Sequence, residues 1–170
     1  MLPLAALPEP ANAAWVHLRC RRSGAELLHL NTQLNDESEP ARVESTRLIL
    51  EGLEALQAGG PRLPLVLTGD YNCNAWSPIY QQLLGAGFID TYRAAGLPDT
   101  TEASTFHGFR GRDYFALEWG DQLHWRVDWI LTREAGTRLL TTACAIVRDA
   151  EPPVYPSDHY PVVTELRVQA

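Results

Sequence analysis

The sequence predicts an α/β domain built in layers, and three observations carry that prediction. Two apolar segments with period-two alternation, Ala14 to Arg21 and Ala25 to Asn31, flank the turn signal Arg22-Ser23-Gly24 and read as a hairpin. A helix-length segment and then an apolar, β-branched run, Leu63 to Thr68, come next. A second helix signal, Ser77 to Leu84, follows that run, so strand, helix, strand and helix alternate as they do in layered α/β folds. At 170 residues, 45% hydrophobic and 21% charged, the chain has one domain's worth of globular composition.

Residues 1–12 are rich in Pro and Ala and are expected to be irregular. In the first strand Trp15, His17 and Arg19 alternate with Val16, Leu18 and Cys20. A polar loop, Thr32 to Ser38, leaves the hairpin. The helix is expected over Glu39 to Gln57, with Ser38 as N-cap and Pro40 and acidic residues in the first turn, where the helix dipole favours them. Val43, Leu48, Leu50, Leu53 and Leu56 supply its apolar stripe, and Ala58-Gly-Gly-Pro61 stops it. The Ser77 helix ends at Gly85-Ala-Gly87. From Ile89 to Leu123 the pattern weakens, and Thr100 to Asp113 reads as a surface loop. Three more strands are expected, Arg126 to Thr132, Thr137 to Val147 and Pro161 to Val168, with a Pro-rich loop from Asp149 to Ser157.

Net charge is -7 and the isoelectric point is near 5.2, which argues against broad electrostatic attraction to nucleic acid or an anionic membrane. A nuclease stays open, because a local arginine cluster or bound cations offset such a field. Cys20, Cys73 and Cys144 are odd in number and widely spaced, with no zinc spacing, and fit a reduced, cytoplasmic chain. No apolar run is long enough to span a membrane, and the first residues lack the basic start of a signal peptide.

The candidate site begins where the Leu63–Thr68 strand ends. Gly69 is followed by Asp70, Asn72 and Asn74, polar side chains at the mouth of a central strand, where α/β proteins place their chemistry; the other reading is an Asx-rich turn. Asp158 and His159 stand together before the last strand, at a second such mouth. Asp128 sits among Val127, Trp129 and Ile130, where a carboxylate is costly unless paired. Alternation puts Asp128 and Ile130 on one face, Val127 and Trp129 on the other. Its partner is either an imidazole, with His159 the best candidate, or an ion pair to Arg126 or Arg133. Asp158 is a candidate ligand for a hard divalent cation, or a solvated loop acid. His107, between Phe106 and Phe109, reads as a substrate-facing lip or as loop packing. Trp76 reads as a stacking or core residue, and His17, His29 and His124 as packing or surface histidines. Asp36, Glu37 and Glu39 read as charge at a helix N-terminus.

Together these segments resemble the endonuclease/exonuclease/phosphatase superfamily of deoxyribonuclease-like, metal-dependent phosphoesterases. Four blocks match in order: Asn31-Thr-Gln-Leu-Asn-Asp, Gly69-Asp-Tyr-Asn, Arg126-Val-Asp-Trp-Ile and Ser157-Asp-His-Tyr-Pro-Val. Thr105-Phe-His-Gly-Phe resembles a block of bacterial members. The resemblance implies a two-sheet β-sandwich flanked by helices. It implies that Asp70 positions or deprotonates the attacking water and that Asn72 hydrogen-bonds the developing phosphorane. His159, oriented by Asp128, would contact the phosphoryl oxygens, Asp158 would help hold Mg2+ or Mn2+, and Asn31 would organise the strand end. Gln33 stands where many members have His; it can hydrogen-bond a phosphate oxygen but carries no charge. Arg110 and Arg112 are candidate phosphate contacts. Nothing before Asn31 resembles the family's earlier half, which supplies an Asn strand and the main metal-binding Glu. The expectation is therefore one domain over residues 1–170, matching the family from about 13 to 169 and truncated at its N-terminus, with an uncovered sheet face that favours self-association. The expected substrate is a phosphate ester, a small phosphorylated molecule or a nucleic acid, hydrolysed by direct attack of water. Two rival readings stand beside it: a non-catalytic remnant that acts as a binding or structural piece, and a metal-independent hydrolase built on Asp128 and His159.

Overall fold

The β-branched and alternating segments pair as two sheets in the computed structural model, which describes residues 12–116 and 126–169. The first sheet has five strands in the order β1 (Asn12–Arg19), β2 (Glu26–Gln33), β3 (Leu65–Asp70), β5 (Asp128–Arg133) and β4 (Ile89–Asp90). β1 and β2 form the expected antiparallel hairpin, β2 and β3 run parallel, and β5 lies antiparallel to both β3 and β4. The second sheet is the antiparallel pair β6 (Arg138–Ile146) and β7 (Val162–Gln169). Its Thr164 hydroxyl lies 2.9 Å from that of Thr91, which in turn bonds the Ile130 carbonyl of β5, so the two sheets are joined by side chains. The chain is thus α/β with two sheets.

Among the described residues three α-helices accompany the sheets: α1 (Glu39–Gln57), α2 (Pro78–Gly85) and the short α3 (Thr91–Ala94). The parallel β2–β3 pair requires a crossover, and α1 supplies it. Ser38 and Ser77 cap α1 and α2 by accepting from Ala41 N and Tyr80 N. The core lies between these helices and the outer face of the first sheet, where Leu28, Leu30, Leu65, Leu67 and Trp129 meet Leu53, Ile79 and Leu83. Trp129 stacks on Tyr71 with ring centres 4.4 Å apart, and its indole N–H donates to the Arg126 carbonyl at 2.6 Å.

Two expectations need correction. Of the expected stripe of α1, Val43, Leu50 and Leu53 pack on the core, but the buried positions also include Arg42, Thr46 and Gln57, while Leu48 and Leu56 are 53% and 40% exposed beside Trp15. Local hydrogen bonds to these polar residues offset their burial, although Arg42 Nε is left without a partner. Arg42 donates to the carbonyls of Asn35 and Asp36, Thr46 donates to the Arg42 carbonyl, and Gln57 accepts from Leu63 N. The segment expected as a surface loop, Thr100 to Asp113, is buried at Ala103, Ser104, Thr105 and His107. It closes the end of the first sheet beyond β4, where backbone groups of β5 would otherwise lack partners. His124 lies outside the described residues. Among the described residues no helix is long and apolar enough to cross a membrane.

Candidate active site

Strand register alone assembles half of the candidate site. Gln33 is opposite Asp70 in the β2–β3 pair, and Asp70 is opposite Asp128 in the β3–β5 pair, so the three stand in a row across the sheet end. Asn31, Thr68 and Ile130 form the next row on the same face. Gly69 makes this approach possible. A Cβ at that position would stand 2.1 Å from the Thr32 carbonyl oxygen, a distance no carbon–oxygen contact tolerates. A Gly69→Ala protein is therefore expected to lose at least about 1–3 kcal/mol of stability, read as a lower denaturant midpoint. An unchanged midpoint would contradict the packing described.

His159 comes from the loop between β6 and β7. Its Nδ1 lies 2.8 Å from Asp128 Oδ2, with both side chains about three-quarters buried. Neither alternative partner reaches Asp128: Arg126 pairs with Asp90 and Asp99, and Arg133 with Glu54. A carboxylate only accepts, so Nδ1 carries the proton and Nε2 is left for the cavity that His159 lines. The hydrogen bond to Asp128 holds the imidazole above its ordinary pKa against the opposing effect of burial, and the charges of Asp128, Asp70 and Asp158 add to it.

Asp70 is set for a different protonation range. Burial pushes its carboxyl upward, the Asp128 charge adds to that, and the Asn72 N–H, His159 and Gln33 pull the other way. Its Oδ1 accepts from Asn72 N at 2.9 Å, and its Oδ2 from Gln33 Nε2 at 3.4 Å. The cavity between these groups measures about 540 Å3 and is lined by Asn31, Gln33, Asp70, Asp128, Asp158 and His159 among others. Among the described residues no Lys or Arg lines it.

The other expected residues are placed as follows. Asn31 lines the cavity and accepts from the Thr68 hydroxyl at 2.8 Å. That hydroxyl in turn lies 2.9 Å from His29 Nε2, so His29 belongs to a polar chain behind the site. Asp158 lines the cavity, and its backbone carbonyl is held by His107 N and Gly108 N at 2.8 and 3.1 Å. Asn72 is not among the lining residues. At a positive φ of 49° it turns its side-chain N–H to the Leu34 carbonyl, 2.8 Å away, and ties the loop after β3 to the loop after β2. His107 is no lip. It is 1% exposed, stacks on Tyr160 at 4.0 Å and accepts from Gly111 N through Nδ1. Arg110 and Arg112 are on exposed surface outside the cavity lining, beyond the turn at Gly108 and Phe109. Trp76 is half exposed, His17 meets Glu26, and Asn35, ahead of α1, caps the Glu37 and Ser38 amides.

One ligand atom each from Asp70, Asp128 and His159 lie within 4.8 Å of one another. Asp128 and His159 have spent one atom each on their mutual bond, which leaves the second Asp128 oxygen and His159 Nε2 beside the Asp70 carboxylate, with Asp158 on the same cavity wall. Oxygen donors of this kind suit a hard cation such as Mg2+ or Mn2+, which binds through one or two carboxylates and keeps several waters. Sequence reasoning did not single out Thr68, Thr105 or the partners of Arg126. Thr105 carried a signal, its place in the Thr-Phe-His block, whereas Asp90 and Asp99 carried none.

A sequence model of the Endonuclease/Exonuclease/phosphatase family matches residues 11–159. The chain belongs to this family. Solved structures of family proteins share its fold. One is a mannosyl-6-phosphatase from Bacteroides thetaiotaomicron VPI-5482, 26% identical with a TM-score of 0.72; the match covers 91% of this chain and 56% of the phosphatase. Another is an endonuclease/exonuclease/phosphatase family protein from the same species, 25% identical with a TM-score of 0.73, covering 93% and 56%. A third is the corresponding protein of Bacteroides vulgatus, 25% identical with a TM-score of 0.71, covering 92% and 55%. The chain thus spans little more than half the length of these family proteins. No curated protein matches it in sequence.

Proposed function

We propose that this family member is a divalent-metal-dependent phosphoesterase that hydrolyses a small phosphorylated molecule by direct attack of water. The observation that carries this reading is the 2.8 Å Asp128–His159 pair facing Asp70 across a cavity with no lining Lys or Arg. A phosphate ester entering among three carboxylates needs positive charge from elsewhere. The protonated imidazole supplies part of it. Asp158 would help hold Mg2+ or Mn2+, which would supply further positive charge toward the phosphoryl oxygens.

Each side chain then has a task. Asp70, raised by burial, accepts a proton from the attacking water, and the bonds from Asn72 N and Gln33 Nε2 fix its two oxygens. His159 holds a proton at Nε2 toward the phosphoryl oxygens or the leaving group, and Asp128 fixes its tautomer and stabilises its cationic form. Asn31 presents its carboxamide at the cavity wall. Asn72 acts at one remove, by holding the loop that carries Asp70. Three observations support a small substrate over a long polynucleotide. These are the net charge of -7, the cavity of about 540 Å3, and the likeness to a mannosyl-6-phosphatase. The three unpaired cysteines support a reducing, cytoplasmic setting.

The test is hydrolysis of p-nitrophenyl phosphate and its bis ester by the purified chain, with Mg2+ or Mn2+ and with EDTA as control. Metal-dependent turnover that Asp70→Asn removes is the expected outcome. A folded chain that binds phosphate esters without turnover would instead favour a binding role.

A further inference from the structure

We propose that Thr105 is a positioning residue that sets the Asp128–His159 pair, an inference that rests on the functional reading above. Asp128 and His159 come from separate segments, β5 and the β6–β7 loop. Among the described residues no backbone hydrogen bond joins residues 127–129 to residues 157–160. Both segments are held by one short stretch instead.

Thr105 is fully buried, and its hydroxyl accepts from Val127 N and Asp128 N, each at 3.1 Å. These amides lie at the edge of β5 beyond β4, which pairs only with Leu131 and Thr132. On the other side, the Thr105 carbonyl accepts from Tyr160 N at 2.7 Å, and Phe106 bridges to His159 with its ring 5.0 Å from the imidazole. His107 N and Gly108 N complete the grip on the Asp158 carbonyl. The side chain of Thr105 therefore fixes the carboxylate's strand while its backbone fixes the imidazole's loop. A hydroxyl is needed for this. Valine has the same shape but cannot accept, and it would leave two buried N–H groups without partners. The expected result is a shift of Asp128 relative to His159 Nδ1 and loss of the fixed tautomer.

The experiment reads the imidazole directly. Ring nitrogen shifts are recorded on full-length chain labelled with 15N-histidine, in EDTA, at a pH where the His159 ring is neutral. In the native chain and in T105S, a single tautomer with the proton on Nδ1 is expected. In T105V, folded by circular dichroism, mixed tautomers are expected, together with a fall in kcat of about 100-fold at little-changed KM. If T105V does not fold, T105A removes the same hydroxyl and carries the same expectation. Native-like ring shifts in the hydroxyl-free variant, or mixed tautomers in the native chain, would overturn the proposal. Absence of turnover in every form would defeat the phosphoesterase reading but leave the ring shifts to decide the role of Thr105.

Discussion

A His159→Ala chain is expected to lose turnover by about 10²–10⁴-fold while keeping its fold. The magnitude follows from what the imidazole does. It is the one side chain lining the cavity that can take a positive charge, and in the proposed reaction its proton would face the phosphoryl group or the leaving oxygen. Removing it takes away an interaction stronger in the transition state than in the ground state, so kcat falls more than KM rises. Folding is spared because the ring is only partly buried and stands in a loop, although Asp128 is left beside Asp70 without its partner. Steady-state kinetics with p-nitrophenyl phosphate and a thermal melt decide the matter. A variant that turns over at the native rate would remove His159 from the chemistry, whereas one that melts early would show that the pair is mainly structural.

Replacing Arg126 with Met should be the most destabilising of these changes, costing about 3–5 kcal/mol. Arg126 is 1% exposed and donates to Asp90 and Asp99, each at 2.6 Å, with its guanidinium over the Tyr92 ring. Asp90 also accepts from the Tyr80 hydroxyl and caps α3 through Tyr92 N, so loss of the cation leaves two carboxylates buried with no full counter-charge. For a chain of this size the loss corresponds to a melting temperature lower by about 6–20 °C. Burial alone would raise the Asp99 carboxyl, but the hydrogen bond and charge of Arg126, helped by Arg93, hold it below its ordinary value of 3.8. A depressed carboxyl contributes stability that is complete above its unfolded pKa and disappears as pH falls through the lower folded value. Native stability should therefore drop in acid below about pH 4, and the R126M chain should lack that component of the acid transition. Equal acid sensitivity in both chains would show that other carboxylates govern the transition.

Much of this architecture was legible in the residues. The bounds of α1 were readable because Ser38, Pro40 and the Gly59-Gly60-Pro61 stop act locally, within a turn or two of chain. The hairpin strands followed from alternation and β3 from an apolar, β-branched run. The meeting of Asp128 with His159 was also foreseeable, because a carboxylate between Val127 and Trp129 demands a partner and an Asp-His pair stood at another strand mouth. What escaped was set by contacts between distant segments. Arg42 and Gln57 are held on the buried face of α1 by hydrogen bonds to neighbouring loops, and Thr46 by one to its own helix, none of which hydrophobic periodicity registers. His107 looked like a lip because a polar ring beside phenylalanines in a weakly patterned loop gives no clue that Tyr155 and Tyr160 will enclose it. Arg126 was weighed only against its neighbour Asp128, whereas its true partners lie on β4 and in the following loop.

Chain order splits the site into an early half on the parallel β2–β3 pair and a late half that brings Asp128 and His159. Gln33 and Asp70, which the α1 crossover brings into register, are both synthesised well before the imidazole. The nascent protein then presents a half-built mouth, with a carboxylate and a carboxamide but no imidazole. Only when the β6–β7 hairpin docks and Tyr160 N finds Thr105 does the second half close over it. A chain that ends before this hairpin thus carries the carboxylates Asp70 and Asp128 but lacks the imidazole that completes the acid–base couple.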